Sequence, residues 1–269
     1  MKRNFEDKVV AITGGASGIG LATGWEFARK GAKIAILDMD EAALLDAGQA
    51  LSKAGHNVYA VSCDVTKEDD CTRAVASVIE HFGGIDVLFN NAGITQRGSF
   101  LNTRVSVFKK VMDVNFFGSL YCTKAAVNSL IERKGLIIVN ESVAGLTPLL
   151  GRTGYSASKH ALQGLFTSLR CELRHTGTHV LIVCPGFIKT NLQTRALGSD
   201  GNIATHAQST IGKQDTPEHA AEVIVKGAEN GDHLLVLTAV GKIGYWVSRL
   251  FPVFYEKMMT KKFISELEQ

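Results

Sequence analysis

Seven short apolar runs, near Val9, Ile34, Val58, Ile85, Leu136, Val180 and Leu234, alternate along the chain with helix-periodic stretches of roughly a dozen residues or more. A strand covered on both faces reads as an unbroken apolar run, and strands separated by crossover helices pair in parallel. The pattern therefore predicts an α/β fold, a doubly wound central parallel sheet of about seven strands with helices on both faces. No repeat, low-complexity stretch or Pro/Ser/Gly-rich linker interrupts it. We expect one domain over residues 1–240, with 241–269 as a C-terminal helical extension of it. A length of 269 residues and 45% hydrophobic content suffice for a single large core.

The first apolar run, Val9 to Ile12, leads directly into Thr13-Gly14-Gly15-Ala16-Ser17-Gly18-Ile19-Gly20 and then a helical stretch from about Leu21 to Arg29. Strand, glycine turn and helix follow in the order a phosphate cradle needs. Gly14 can take turn angles closed to other residues, Gly18 lets the backbone approach a pyrophosphate, and Gly20 allows close packing of helix on sheet. The spacing departs from the G-x-G-x-x-G fingerprint, so the next strand carries weight. Lys33 to Leu37 ends in Asp38, eighteen residues after Gly20. A carboxylate there can accept from adenosine ribose hydroxyls and repel the extra phosphate of NADP, which favours NAD as cofactor. Lys33 lies some 16 Å off at the other strand end, at about 3.3 Å per residue. A helix N-terminal role for Asp38, next to Asp40 and Glu41, is the competing reading.

Tyr155 and Lys159, four residues apart in Tyr-Ser-Ala-Ser-Lys, fall on one face of a helix. A free tyrosine titrates near pH 10, and a cation a few ångströms away favours the phenolate, drawing the pKa down toward working pH. Such a tyrosine can serve as a general acid or base.

These residues together resemble the short-chain dehydrogenase/reductase family, and the resemblance runs from about Asp7 to Leu237. Thr13 to Gly20 matches the family's glycine motif, with Thr13, Gly14, Ser17, Gly18, Ile19 and Gly20 on the cofactor side. Asn90-Asn91-Ala92-Gly93 matches its Asn-Asn-Ala-Gly signature after the fourth strand, adding Asn91, Ala92 and Gly93. Asp64 and Val65 stand where the family places its adenine contacts. Pro185, Gly186, Ile188 and Thr190 look like its contacts to the nicotinamide end. Asn115, Ser142, Tyr155 and Lys159 fall at its four catalytic positions, Ser142 thirteen residues before the tyrosine.

The resemblance implies a Rossmann-type fold, an NAD-binding oxidoreductase and a homodimer or homotetramer. Carbonyl reduction develops negative charge on the substrate oxygen, and Tyr155 and Ser142 suit the two donors it needs. Lys159 would lower the tyrosine pKa and donate to ribose hydroxyls. Asn115, in a helix starting near Thr103, resembles the family's asparagine that holds a water in the proton relay. Glu141 departs from the family, where a small hydroxyl residue is common; it could be solvated, pair with a base or bias substrate choice.

The net charge of +3 is spread along the chain and leaves no nucleic-acid footprint. Cys63, Cys71, Cys122, Cys171 and Cys184 form no C-x-x-C pair and read as reduced, buried thiols of a cytoplasmic protein. The histidines lack metal-ligand spacing, so no metal is expected. Met1 to Lys8 has no apolar leader core, and no run reaches the roughly 18 apolar residues of a membrane span.

Two segments should govern the substrate. Thr190 to Thr216 is polar and glycine-containing, with Leu192, Leu197, Ile203 and Ile211 scattered through it, as suits a mobile flap. Leu149, Leu150, Phe187 and Leu192 flank the catalytic motifs and would form an apolar mouth, binding substrate together with Ser142 and Tyr155. After the last strand, Ile243, Tyr245, Trp246, Leu250, Phe251, Val253, Phe254 and Tyr255 precede Lys257, Lys261 and Lys262. That tail could lie on a membrane surface, pack on a neighbouring subunit or seal the pocket of its own domain. The expected activity is NAD-linked interconversion of an alcohol and a ketone or aldehyde, with a hydrophobic small molecule as substrate. An NADPH-dependent carbonyl reductase and a non-catalytic dinucleotide sensor are the alternatives.

Overall fold

The structure, a computed structural model, describes residues 2–205 and 214–267. Its strands are β1 (Val9–Thr13), β2 (Lys33–Asp38), β3 (Val58–Ser62), β4 (Val87–Asn90), β5 (Leu136–Asn140), β6 (His179–Cys184) and β7 (Leu234–Val236). They form one parallel sheet in the order β3-β2-β1-β4-β5-β6-β7. The chain leaves β1 for β2 on one side and reaches β4 on the other, so the order reverses between β1 and β4. Ligands of such sheets bind beyond the strand ends at that crevice.

The helices are α1 (Gly18–Arg29), α2 (Glu41–Lys53), α3 (Glu68–Phe82), α4 (Val105–Met112), α5 (Gly118–Glu132), α6 (Thr153–Glu172), the single turn α7 (Asn191–Thr194), α8 (Pro217–Asn230), α9 (Ala239–Leu250) and α10 (Pro252–Phe263). Alternation along each strand divides the core in two. Val10, Ile12, Ile34 and Ile36 pack with Phe27 of α1, Leu51 of α2 and Ile224 of α8. Ala11, Leu37, Ile137 and Val139 face Val75 and Val78 of α3, Cys122 and Ala126 of α5, and Phe166 of α6. Both faces are thus covered by helices, which is why these strands read as continuous apolar runs.

Two expectations differ from the structure. The helix carrying Asn115 begins at Val105 and is broken by a π-helical turn, Asp113–Phe117, in which the Gly118 N–H reaches back to the Asp113 carbonyl. A wide turn inside a helix leaves no mark in hydrophobic period, and such turns gather at functional sites. Cys171 is exposed, on the last turn of α6, whereas the other four cysteines are buried.

At the sheet end remote from the crevice, Asp86 is a buried carboxylate that joins three segments. It accepts the Val9 N–H at 3.0 Å and pairs with Lys8 and Arg133, each at 3.2 Å. Asp86→Ala would orphan the Val9 N–H, and the loss of a buried, paired carboxylate should cost about 2–4 kcal/mol. The expected result is a lower denaturation midpoint with unchanged nucleotide affinity, read by chemical unfolding and by nucleotide titration.

Candidate active site

The glycine turn closes over the end of β1 because two of its residues take backbone angles open to glycine, Gly14 at φ +61° and Gly18 at φ +54°. A side chain on Gly20 would collide with the Gly14 carbonyl and the Asn91 amide, at 2.3 and 2.5 Å, so α1 can start this close to β1 only with glycine there. Thr13 is buried and its Oγ1 accepts the N–H groups of Asn91 and Ala92, both at 3.0 Å. The Asn91 amide donates to the carbonyls of Thr13 and Gly14, both at 3.0 Å, and its Oδ1 accepts from Asn140 at 2.8 Å. Thr13, Gly20 and Asn91 therefore shape the cradle through protein contacts.

Beyond these strand ends lies a cavity of about 570 Å³, within the usual range for small-molecule sites. From the cofactor set, Gly14, Ser17, Gly18, Ile19, Asp38, Asp64, Val65, Asn91, Ala92, Gly93, Pro185, Gly186, Ile188 and Thr190 line it. Ser142, Tyr155 and Lys159 line it as well, as do Leu149, Phe187 and Leu192. Leu150 instead packs on Tyr255, Met259 and Phe263.

Asp38 is held toward the turn, its two oxygens accepting from Ala16 N and Asp40 N, each at 3.1 Å. The helix-capping role belongs to Asp40, which accepts the Ala43 N–H at 3.2 Å. Sequence spacing gave no hint of Arg195, which follows α7, lines the cavity and stands 3.7 Å from Asp40.

Asn115 stands behind the cavity wall. Its amide donates to Ile94 O at 3.0 Å and Ser158 Oγ at 2.9 Å, and its Oδ1 accepts Ile94 N at 2.8 Å, so it ties the loop after β4 to α6. A Cβ on Gly93 would stand 3.2 Å from Asn115 Oδ1 and 3.6 Å from Lys159 Nζ. The missing side chain leaves room there for a hydroxyl or a water. Asn140 Oδ1, also in the cavity wall, is a buried acceptor without a partner among the described residues. A cradle of N–H groups, a carboxylate at the end of β2 and an open acceptor between them fit a dinucleotide with its ribose hydroxyls.

Tyr155 and Lys159 share one face of α6, with Nζ 5.7 Å from the ring centroid. The ammonium donates to the Asn140 carbonyl at 2.7 Å. The electrostatics differ from the expectation: burial pushes the phenol of Tyr155 up, opposed by the Ser142 hydroxyl and then by the Arg152 guanidinium. Burial also pulls the Lys159 ammonium down to about 8, against the opposing pull of the Glu141 carboxyl. Arg152, buried three residues before Tyr155 and itself pulled down to about 10 by burial, was missed from sequence because nothing in its spacing separates it from a surface arginine.

Glu141 is buried beside this pair, which excludes the solvated reading. Its Oε2 accepts from Cys184 Sγ at 3.3 Å, and its carboxyl fills the space a side chain on Gly145 would need. Burial raises it to about 8, against the opposing pull of Cys184 and Lys159. A carboxyl raised above its unfolded value contributes fully below that value and loses the contribution as pH climbs through about 8. The melting temperature of Glu141→Gln should therefore gain on the wild type as pH rises from about 5 to about 8. A constant gap in thermal melts across that range would remove the assignment.

The segment from Thr190 onward is anchored in its described part. Leu197 exchanges backbone hydrogen bonds with Thr95 and Arg97, at 2.9 and 2.7 Å, and is buried, whereas Ile203 is exposed. Ile211 lies outside the described residues. The tail supplies a wall that the motifs did not reveal: Val240, Gly244, Tyr255, Met259 and Phe263 line the cavity.

A family model described as short chain dehydrogenase matches residues 8–199. The chain is 34% identical over 266 residues to "Dehydrogenase/reductase SDR family member 7B" of Xenopus tropicalis, covering 96% of this chain and 86% of that protein. It is 35% identical over 231 residues to "2-(S)-hydroxypropyl-CoM dehydrogenase 3" of Xanthobacter autotrophicus, covering 84% and 91%. A crystal structure of a short-chain dehydrogenase/reductase from Burkholderia phymatum in complex with NAD superposes with a TM-score of 0.80 at 26% identity, over 92% of this chain and 96% of that one. With the crevice, the glycine cradle and the Ser142, Tyr155 and Lys159 cluster in one cavity, these matches place the class. The chain belongs to the short-chain dehydrogenase/reductase family, oxidoreductases of the nicotinamide dinucleotides.

Proposed function

We propose that the protein interconverts a hydrophobic secondary alcohol and its ketone, or an aldehyde counterpart, with NAD. The observation that carries this reading is the shared cavity, in which Ser142, Tyr155 and Lys159 face the space bounded by the glycine turn. The relative named as a 2-(S)-hydroxypropyl-CoM dehydrogenase, named for a secondary alcohol, supports the reaction type. The nicotinamide, when bound, supplies or takes the hydride. Tyr155 gives a proton to the developing alkoxide in reduction and takes it back in oxidation, while the Ser142 hydroxyl donates to the same oxygen. A phenol kept neutral by burial is suited to giving that proton. Lys159, held by the Asn140 carbonyl and lining the same cavity, would donate to the ribose hydroxyls of the bound dinucleotide. Leu149, Phe187, Leu192, Met259 and Phe263 supply the apolar surface for the rest of the substrate.

Preference for NAD rests on Asp38, oriented by two N–H donors toward the site of the adenosine ribose. Arg195 supports a second reading, with NADP, because its exposed guanidinium, 3.7 Å from Asp40 and lining the same cavity, could meet a ribose phosphate. Asp38→Ala should narrow the preference for NAD, and Arg195→Ala should weaken NADP further, both read by nucleotide titration. Tighter binding of NADP than NAD by the wild type would overturn the NAD reading.

Tyr155→Phe should lower turnover by about 10²–10⁴-fold, the usual range for a lost general acid, and leave dinucleotide affinity nearly unchanged. The measurement is absorbance of the reduced cofactor over a panel of ketones and secondary alcohols. Unchanged turnover in the variant would withdraw the proton-transfer role, and absence of turnover in the wild type across the panel would favour a dinucleotide sensor.

A further inference from the structure

Helices α9 and α10 bury little of their own surface. The inner stripe of α10, Tyr255, Met259 and Phe263 at helical spacing, packs on the body of the protein, and Gly241 is the buried residue of α9. The outer face is apolar. Ile243, Trp246 and Leu250 recur along one side of α9 at i, i+3 and i+7, and Phe251, Val253 and Phe254 continue the patch across the break at Pro252. These six large side chains are each 61–65% exposed. A soluble surface rarely keeps so many large apolar groups together without a partner.

The charge around the patch indicates which partner. Lys242, Arg249, Lys257, Lys261 and Lys262 are all exposed on these two helices, and Glu256 is their one carboxylate. Their net charge of +4 exceeds the +3 of the whole chain, so the basic character of the protein is concentrated here. A second copy docking through this face about a twofold axis would bring like charge against like charge. An anionic bilayer offers both halves of the complement, an acyl boundary for the apolar side chains and headgroups for the cations. Among the described residues no helix is long and apolar enough to cross a membrane, so the geometry is that of lying on the surface.

We propose that the outer face of α9 and α10 seats the protein on an anionic lipid surface. Trp246, Leu250, Phe251 and Phe254 enter the acyl boundary, and the lysines and Arg249 engage the headgroups. The inner faces of the same two helices wall the cavity through Val240, Gly244, Tyr255, Met259 and Phe263, so the seat adjoins the substrate space. The docking stands whether or not the alcohol and ketone chemistry does.

The test is flotation of the full chain with vesicles of phosphatidylcholine alone or mixed with phosphatidylserine. The wild type should float with the mixed vesicles, less so as salt is raised. Trp246→Ser combined with Phe254→Ser should bind about tenfold more weakly or worse, and so should Lys257→Glu with Lys261→Glu and Lys262→Glu. Both variants should retain wild-type nucleotide affinity, since none of these residues lines the cavity. In a Trp25→Phe background, Trp246 emission should shift to the blue with mixed vesicles and be quenched by brominated lipid, a readout that does not depend on the variants folding. A wild type that stays out of the vesicle fraction, or a Trp246/Phe254 variant that floats as the wild type does, overturns the proposal. Light scattering that finds a dimer without lipid, lost in the Trp246/Phe254 variant, assigns the face to a second copy and overturns it equally.

Discussion

The site depends on a short chain of hydrogen bonds across the ends of three strands. Asn91 donates to the carbonyls of Thr13 and Gly14 at the end of β1 and accepts from Asn140 at the end of β5, and the Asn140 carbonyl in turn holds the Lys159 ammonium. Parallel strands end side by side at the reversal of sheet order, and their last polar groups would otherwise face the crevice unpaired. Joining them fixes the glycine turn, the end of β4 and the Tyr155 and Lys159 face of α6 relative to one another. The π-helical turn extends this framework, since Asn115 within it ties the loop after β4 to Ser158 on α6. The glycine cradle and the Tyr155 and Lys159 face of α6 are therefore parts of one hydrogen-bonded assembly.

Burial of that assembly sets its charges. Tyr155, Lys159, Glu141 and Arg152 all lie below the surface, and each is moved by desolvation toward its neutral form. The phenol goes up while the ammonium comes down, the latter opposed by the carboxyl of Glu141. Neighbouring titratable groups whose environments push their pKa values apart, as for Tyr155 and Lys159, are a physical pointer to divided acid and base roles.

The C-terminal helices connect this interior to the outside. One side of α10 lines the cavity, and the opposite side of the pair presents aromatic and aliphatic residues among lysines. The same two helices, each of 12 residues, thus face both the cavity and the surface, a division that follows from helical period once one face is packed.

The fold and the residues of the candidate site were legible in the sequence to different depths. Strand positions, the glycine turn, the carboxylate of Asp38 and the Tyr155 and Lys159 pair are local features: period, backbone freedom and one-turn spacing act over a few residues and leave a pattern that can be read directly. The contacts of Asn115 with Ile94 and Ser158, the approach of Arg195 to Asp40, the burial of Arg152 and Glu141 and the wall formed by Met259 and Phe263 arise from residues far apart in the chain. Desolvation reversed the expected direction for the phenol because it depends on everything packed around the ring, whereas the helical spacing specifies a single neighbour. The chain by itself determined the elements and the residue types at their ends; tertiary packing decided which charges lost water, and hence how those residues ionise.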